Sequence, residues 1–231
     1  MSPSPSSPSW VDFHTHILDS PELPQAALAA RAAHVNKWLV NSVDVQNWLH
    51  HRAKAQEYPE ALVGLGWHPE QVLEVPPSQI HPVLQQFESF LPHATYLGET
   101  GLDFLYGKTD AQRLNQKIVF ERFIEWSNHR KLLLEIHSRH AKQEVIDLLL
   151  QKEATHVLLH WFNGNKTQAQ TLIENKWVAT VGPTILSSPH VDKFIQLMPL
   201  DLIGLETDSP IPFSNTPSDP SWIVRVASRV A

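Results

Sequence analysis

Short apolar segments alternate with longer helix-prone segments along almost the whole chain, and this alternation limits the possible folds more than any other feature. Eight near-continuously apolar strands separated by helices predict parallel pairing with both sheet faces covered. We therefore expect an α/β fold, a TIM-type (β/α)8 barrel. The predicted strands are Trp10 to His14, Lys37 to Val43, Leu62 to Gly66, Thr95 to Glu99, Leu132 to Ile136, His156 to His160, Trp177 to Val181 and Leu202 to Glu206. The predicted helices include Gln25 to Asn36, Val45 to Tyr58, Ala111 to His129, Lys142 to Lys152 and Lys166 to Asn175.

The length of 231 residues fits one barrel, so we expect residues 10–231 to form a single domain. Residues 1–9 are methionine followed only by serine and proline, which predicts a disordered tail. That tail has neither the basic start nor the apolar core of a signal peptide, and no apolar run reaches the roughly 18 residues of a membrane span. We expect a cytoplasmic protein with no membrane partner.

Six predicted strands end in a histidine or a carboxylate. The chemistry of such barrels lies at the C-terminal strand ends, so these side chains should converge. His14 and His16 are two residues apart and can face the same way in an extended chain. The six positions proposed as ligands are His14, His16, Glu99, His137, His160 and Asp208, and His68 ends a further strand.

Burying so many polar groups costs free energy unless each has a partner, and divalent cations can be that partner. The chain has no cysteine, so any metal site must use histidine and carboxylate. Six ligands exceed the set used by one catalytic zinc ion, which favours two metals with a bridging carboxylate. The alternative for Glu99 is a buried ion pair with arginine or lysine.

Several ordered motifs resemble those of the TatD family of metal-dependent deoxyribonucleases, a branch of the amidohydrolase superfamily. They are Asp12-x-His14-x-His16, Gly66-x-His68-Pro69, Gly98-Glu99-x-Gly101-Leu102-Asp103, Gln116 with Phe120, His137-Ser138-Arg139, His160-x-Phe162-x-Gly164 and Glu206-Thr207-Asp208-Ser209-Pro210. The resemblance implies one metal on His14, His16, Glu99 and Asp208, and a second on Glu99, His137 and His160. Glu99 would then be the bridge, and His68 would face the substrate phosphate or the transition state.

The chain departs from the family pattern at three motif positions and at its end. His140 follows Arg139 where aspartate is usual, and Thr100 and Glu135 replace residues that are commonly apolar. Only 23 residues follow Asp208 in a chain of 231. We therefore expect a shortened C-terminal end and a final helix from Trp222 to Ala231 that covers one flank of the barrel thinly. A barrel with such thin cover can also be distorted.

The predicted mechanism uses two divalent ions (Zn, Mg, Mn or Ni) that activate a water, with Asp208 as proton acceptor. Arg139 is a candidate for phosphate binding, with a surface salt bridge as its alternative role. Trp67 and Trp161, together with Phe104 and Phe162, are candidates for stacking on bases, and packing between loops is the alternative. The nine other histidines are expected to be solvated; they are His34, His50, His51, His81, His93, His129, His140, His156 and His190.

Three functions remain compatible with the sequence. The first is phosphodiester cleavage by an exonuclease-like deoxyribonuclease, acting on DNA or a small phosphodiester. The second keeps the metals but hydrolyses a small ester, lactone or amide, and the third is a non-catalytic barrel that serves as a binding module. The net charge of −6 argues against a broad basic surface, so single strands or frayed ends are expected to be better substrates than intact duplex.

Overall fold

The computed structural model describes residues 9–213 and 215–230. Eight strands form one parallel sheet in chain order, which confirms the predicted barrel. The strands are β1 (Trp10–Thr15), β2 (Val35–Asn41), β3 (Ala61–Leu65), β4 (Tyr96–Gly101), β5 (Leu134–His137), β6 (Val157–Leu159), β7 (Val178–Val181) and β8 (Ile203–Leu205), followed by the antiparallel pair β9 (Pro212–Phe213) and β10 (Thr216–Pro217). The predicted disordered tail lies outside the described residues except for Ser9, whose hydroxyl accepts a hydrogen bond from Asn36.

Helices follow the strands of the barrel and cover its outer surface. They are α1 (Leu23–Ala32), α2 (Val45–Lys54), α3 (Pro69–Leu73), α4 (Ile80–Phe90), α5 (Asp110–Arg130), α6 (Lys142–Gln151), α7 (Lys166–Asn175), α8 (Pro189–Ile195) and α9 (Ile223–Val230). Capping boxes begin two of them: Thr109 pairs with Gln112 at α5, and Asn165 pairs with Gln168 at α7. Among the described helices, none combines the length and the apolar character that crossing a bilayer requires.

Backbone hydrogen bonds close the barrel between its first and last strands at the C-terminal end. The backbone N–H of His16 donates to the carbonyl of Ser209 at 2.7 Å, and that of Asp208 donates to the carbonyl of His14 at 2.9 Å. Thr15 and Ser209 also pair as an isolated parallel bridge. The segment that follows β8 therefore completes the barrel, beside the residues predicted to bind metal.

The C-terminal flank is covered by a short helix, close to the position that the sequence predicted. A 3-10 turn (Pro220–Trp222) leads into α9, where Ile223 and Val226 are fully buried. Val226 packs in a small apolar cluster with Val181 and Ile185. The eight residues of α9 thus place two core side chains on the flank beside β1 and β8.

Candidate metal centre

A cavity of about 720 Å³ opens at the C-terminal end of the barrel. Its walls include five of the six predicted metal ligands, and the sixth, His14, is buried beneath them. The structure thus brings together residues that are spread over nearly 200 positions of the chain. The five that line the cavity are His16, Glu99, His137, His160 and Asp208.

Four ligand atoms converge on one side of the cavity. Nε2 of His14 lies 3.2 Å from Nε2 of His16 and 3.4 Å from Oδ1 of Asp208. Oε2 of Glu99 lies 3.7 Å and 3.5 Å from the same two nitrogens. In a tetrahedral site with bonds of about 2.1 Å, the ligand atoms are separated by about 3.4 Å. The ligand atoms of His14, His16 and Asp208 lie within 4.8 Å of one another and fit a single divalent ion, with Glu99 beside them.

The other carboxylate oxygen of Glu99 faces a second set of imidazoles. Oε1 lies 2.8 Å from Nδ1 of His137, 3.6 Å from Nε2 of His68 and 3.9 Å from Nε2 of His160. The two oxygens of Glu99 therefore point at two neighbouring groups of ligand atoms. This arrangement fits a bridging carboxylate between two ions.

Each of the four predicted ligand imidazoles is held through its other ring nitrogen. Glu135 accepts from His14 at 2.6 Å, Glu206 lies 2.9 Å from Nδ1 of His160, and Asp103 lies 2.9 Å from Nε2 of His137. Nδ1 of His16 lies 3.1 Å from the carbonyl of Asn41. Such acceptors fix the orientation of a ligand imidazole and raise its basicity.

These supporting groups were not predicted from the sequence. Asp103 and Glu206 were noted only as motif members, and Glu135 only as a departure from the family pattern. A carboxylate within an otherwise apolar strand was the available signal for Glu135, because a buried carboxylate needs a partner. The identity of that partner depends on which strand ends meet, which only the folded structure shows.

Backbone geometry at two glycines lets the strand ends approach closely. A side chain at Gly66 would clash with the backbone nitrogen of Glu99. Gly98 has a φ of +147°, a conformation that other residues rarely adopt. Together they allow β3 and β4 to bring Glu99 to the centre of the mouth.

Asp12 ties the first strand to the segment after the last one. Its carboxylate accepts hydrogen bonds from the backbone N–H groups of His14, at 3.3 Å, and Thr207, at 3.0 Å. The hydroxyl of Thr207 donates to it as well. Burial raises the pKa of Asp12 well above its usual range, and these donors act against that rise. Asp12 therefore sets the spacing between His14 and Asp208 without being a ligand itself.

The two central carboxylates are held in their ionised forms. Burial acts to raise the pKa of Glu99, but the surrounding imidazoles, with His68 and His14 foremost, outweigh it and hold that pKa well below its usual value. Burial likewise opposes ionisation of Asp208, and a hydrogen bond with His14 and nearby imidazoles lower its pKa instead. The centre therefore presents two buried negative charges to the cavity.

Two histidines beside Glu99 have opposite protonation tendencies. Burial lowers the pKa of His68 to about 3. Burial also acts against protonation of His137, but hydrogen bonds to Asp103 and Glu99 raise its pKa to about 9. Nδ1 of His68 accepts a hydrogen bond from the backbone N–H of Glu70 at 3.2 Å. The neutral ring then carries its proton on Nε2, which faces the cavity as a donor.

The structure corrects part of the substrate-binding prediction. Trp67 is only 2% exposed and stacks on Phe87 at a centroid distance of 5.5 Å, so it belongs to the core and cannot stack on a substrate base. Phe162 is also buried and packs against Phe194. Their side chains point away from the mouth because the chain turns after each strand end. Trp161 is partly exposed and lines the cavity.

Arg139 lines the cavity but is already paired with carboxylates. Its Nε donates to Asp103 at 2.7 Å and its Nη2 donates to Glu70 at 2.6 Å. The salt-bridge role considered for this residue is therefore present. Its guanidinium also lies over the ring of Tyr106, at 4.7 Å from the centroid.

One histidine expected to be solvated is instead buried. His51 is fully buried, and its Nε2 lies 2.8 Å from Oδ1 of Asp19 while its Nδ1 lies 3.2 Å from the hydroxyl of Ser42. Its position on the inner face of α2 explains the difference. The other eight histidines of that group are exposed.

The fold and the site together define a (β/α)8 barrel with a cluster of imidazoles and carboxylates, suited to divalent cations, at its C-terminal mouth. The chain belongs to the TatD related DNase family, whose model matches residues 11–231. This confirms the family inferred from the ordered motifs.

Individual relatives agree with this assignment. Deoxyribonuclease TATDN3 of Homo sapiens is 32% identical over 147 residues, which are 63% of this chain and 54% of that protein, so the match spans about half of that relative. The metal-dependent hydrolase YabD of Bacillus subtilis is 25% identical over 232 aligned positions, covering 95% of this chain and 89% of YabD. The crystal structure of the TatD homolog YjjV of Escherichia coli superposes with a TM-score of 0.82 at 25% identity, covering 96% of this chain and 88% of YjjV.

Proposed function

We propose that this protein is a metal-dependent hydrolase that cleaves phosphodiester bonds, with DNA as its substrate. The observation that carries the proposal is the position of Glu99, whose two oxygens face two separate groups of imidazole nitrogens. That arrangement suits two divalent ions, drawn from Zn, Mg, Mn and Ni. The abundance of imidazole favours Zn or Ni over Mg and Mn, which prefer oxygen ligands.

The proposed ligands divide between the two ions. One ion would be held by His14, His16, Glu99 and Asp208, and the other by Glu99, His137 and His160. Bound divalent ions supply acidification of a water and neutralisation of charge on phosphoryl oxygens. The assignment is supported by three groups of ligand atoms that lie within 4.8 Å of one another, namely His14 with His16 and Asp208, His14 with Glu99 and His160, and Glu99 with His68 and His137. The ionised state of Glu99 and Asp208 supports it as well.

Asp208 and His68 are the proposed acid–base and polar groups of the reaction. Asp208 is ionised and lines the cavity, so it can accept a proton from the attacking water. His68 is neutral with its proton on the nitrogen that faces the cavity, so it can donate a hydrogen bond to a phosphoryl oxygen. Arg139 can add positive potential, although its pairing with Asp103 and Glu70 reduces this contribution.

A single strand suits this cavity better than a duplex. The net charge of −6 gives the protein little general attraction for a rigid, highly charged double helix. The mouth is concave and carries the partly exposed indole of Trp161, on which an unstacked base can lie. We therefore expect cleavage to begin at strand ends or in frayed regions.

The test is turnover on labelled single strands and matched duplexes, with each metal and with chelator. The same preparations should be assayed on a lactone, an amide and a small carboxylic ester. The proposal expects chelator-sensitive cleavage of single strands that exceeds cleavage of duplex. Metal-dependent hydrolysis of a lactone or amide without nucleic-acid cleavage would replace the nuclease by a small-molecule hydrolase, for which a cavity of about 720 Å³ also has a suitable size. Metal binding without any turnover would favour a non-catalytic binding module.

A further inference from the structure

We propose that Lys142, together with Trp161, forms a nucleotide subsite beside the metal centre, with Lys142 holding a backbone phosphate next to the scissile one. This inference rests on the proposed phosphodiester substrate. It assigns the phosphate contact to a lysine that the sequence did not single out, in place of Arg139.

Lys142 is a cation of the cavity wall without a counter-ion. It lines the cavity and is partly buried, and it makes no ion pair with a carboxylate in the described part of the chain. Burial lowers the pKa of its ammonium group, and no neighbouring acid offsets this effect. Arg139, by contrast, shares its charge with two carboxylates. An anionic ligand would therefore offset the desolvation of the Lys142 ammonium. The guanidinium of Arg139 already has two carboxylates that do this.

The hydrogen bonds of Lys142 leave it able to bind a ligand. Its Nζ donates to the carbonyl oxygen of Asn163 at 3.1 Å and to the side-chain oxygen of the same residue. An ammonium group has three donors, so one remains available. The ring of Phe162 lies under the ammonium at 5.7 Å from its centroid. These contacts fix the position of the charge at the cavity wall.

Trp161 supplies a surface for the base that accompanies this phosphate. It is two residues before Asn163, and its indole N–H donates to the hydroxyl of Thr184 at 2.9 Å, which fixes the ring. Its ring centroid is 5.8 Å from that of His160, a proposed metal ligand. A base stacked on Trp161 therefore belongs to a nucleotide adjacent to the reacting phosphate. A fixed cation next to a fixed aromatic ring matches the phosphate and base of one nucleotide.

The test separates the charge of Lys142 from the stacking of Trp161. Metal-loaded protein is titrated with a fluorescein-labelled oligothymidylate carrying phosphorothioate linkages, and fluorescence anisotropy is followed at several salt concentrations. Lys142→Gln should weaken binding about tenfold, as for a lost hydrogen bond to a charged group. It should also reduce the slope of log K against log salt by about 0.7, the value for one phosphate of a single strand. Trp161→Leu should weaken binding roughly tenfold at every salt concentration and leave that slope unchanged.

Three further variants show whether Lys142 acts by charge or only by holding its loop. Lys142→Arg should restore the salt slope. Asn163→Ala removes the side-chain partner but keeps the ammonium, so it should keep the slope as well. Lys176→Gln changes an exposed lysine before β7, at the opposite end of the barrel, and serves as the matched control.

The outcomes distinguish the subsite from the nuclease proposal. DNA cleavage by the wild type with an unchanged salt slope in Lys142→Gln would overturn the subsite and leave the nuclease intact. A slope that depends on Lys142 in a protein that cleaves no DNA would support the subsite and overturn the nuclease. Equal losses of oligonucleotide affinity in Lys142→Gln and Asn163→Ala, with the salt slope unchanged, would show that Lys142 only holds its loop in place, and this would overturn the subsite. Absence of oligonucleotide binding by the wild type would overturn both proposals.

Discussion

The carboxylate of Glu135 lies 2.6 Å from Nδ1 of His14, on the side of the ring that faces away from Glu99 and Asp208. Both residues are fully buried, and the other oxygen of Glu135 has no hydrogen-bond partner among the described residues. The amide of Asn41 also approaches Nδ1 of His14, at 2.9 Å. Glu135 therefore holds Nε2 of His14 toward the centre of the site.

Replacing Glu135 by glutamine should weaken metal binding while the barrel still folds. Glutamine keeps the shape but loses the charge that makes the imidazole more basic, so we expect a loss of about 10- to 100-fold in metal affinity. Competition with a chelator, followed by elemental analysis, measures the change. Glu57→Gln, at an exposed position outside the cavity lining, is the control. Equal affinities for Glu135→Gln and Glu57→Gln would show that Glu135 does not support the site.

Glu99→Gln should lower the number of bound metals. The amide offers an oxygen to only one of the two groups of imidazoles, because its NH2 cannot act as a ligand. It also removes a negative charge that offsets the two cations. Elemental analysis of dialysed protein should therefore show fewer ions per chain than in the wild type. Retention of two ions would exclude Glu99 as the bridge.

Asp208→Asn should abolish most turnover and leave the fold intact. An amide cannot accept the proton of the attacking water, and it is a poorer metal ligand. Steady-state rates on the best substrate, together with circular dichroism, measure both effects. Rates equal to wild type at equal metal content would remove Asp208 from the chemistry.

Trp67→Ala should act on stability and not on substrate recognition. The buried indole stacks on Phe87, and removal of such a side chain typically costs about 3–5 kcal/mol in the free energy of unfolding. Urea titration measures this cost, and oligonucleotide affinity is measured at a temperature where the variant remains folded. A selective loss of oligonucleotide affinity with unchanged stability would contradict the position of Trp67 in the core.

The sequence predicted the barrel well because its strands are apolar and its helices are amphipathic. Every predicted strand overlaps an observed one, and α7 was predicted at its observed bounds. The strand ends differ by a few residues. For example, β2 begins at Val35, two residues before the predicted start, because that segment pairs with β1 through Trp10.

The sequence predicted which side chains converge where their position follows from a strand end, and it was wrong where the position depends on side-chain direction. His14, Glu99 and Asp208 converge because parallel strands share one end. Trp67 also follows a strand, but its side chain enters the core, and periodicity alone does not give the direction of a residue in the following turn. The partner of Glu135 lies 121 positions away in sequence, on a strand that is not its neighbour in the sheet.

The backbone pairing of Thr15 with Ser209 joins positions that are 194 residues apart, so this contact has one of the largest loop-closure costs in the chain. His14, His16 and Asp208 flank the same pairing, while Glu99 comes from β4. Neither half of the barrel, expressed alone, would contain all four residues proposed to hold the first ion. Affinity for that ion therefore reports on completion of folding. Deletion of β8 and the segment after it would remove ring closure and binding of that ion together, whereas a circular permutant opened at a helix on the far side should retain both.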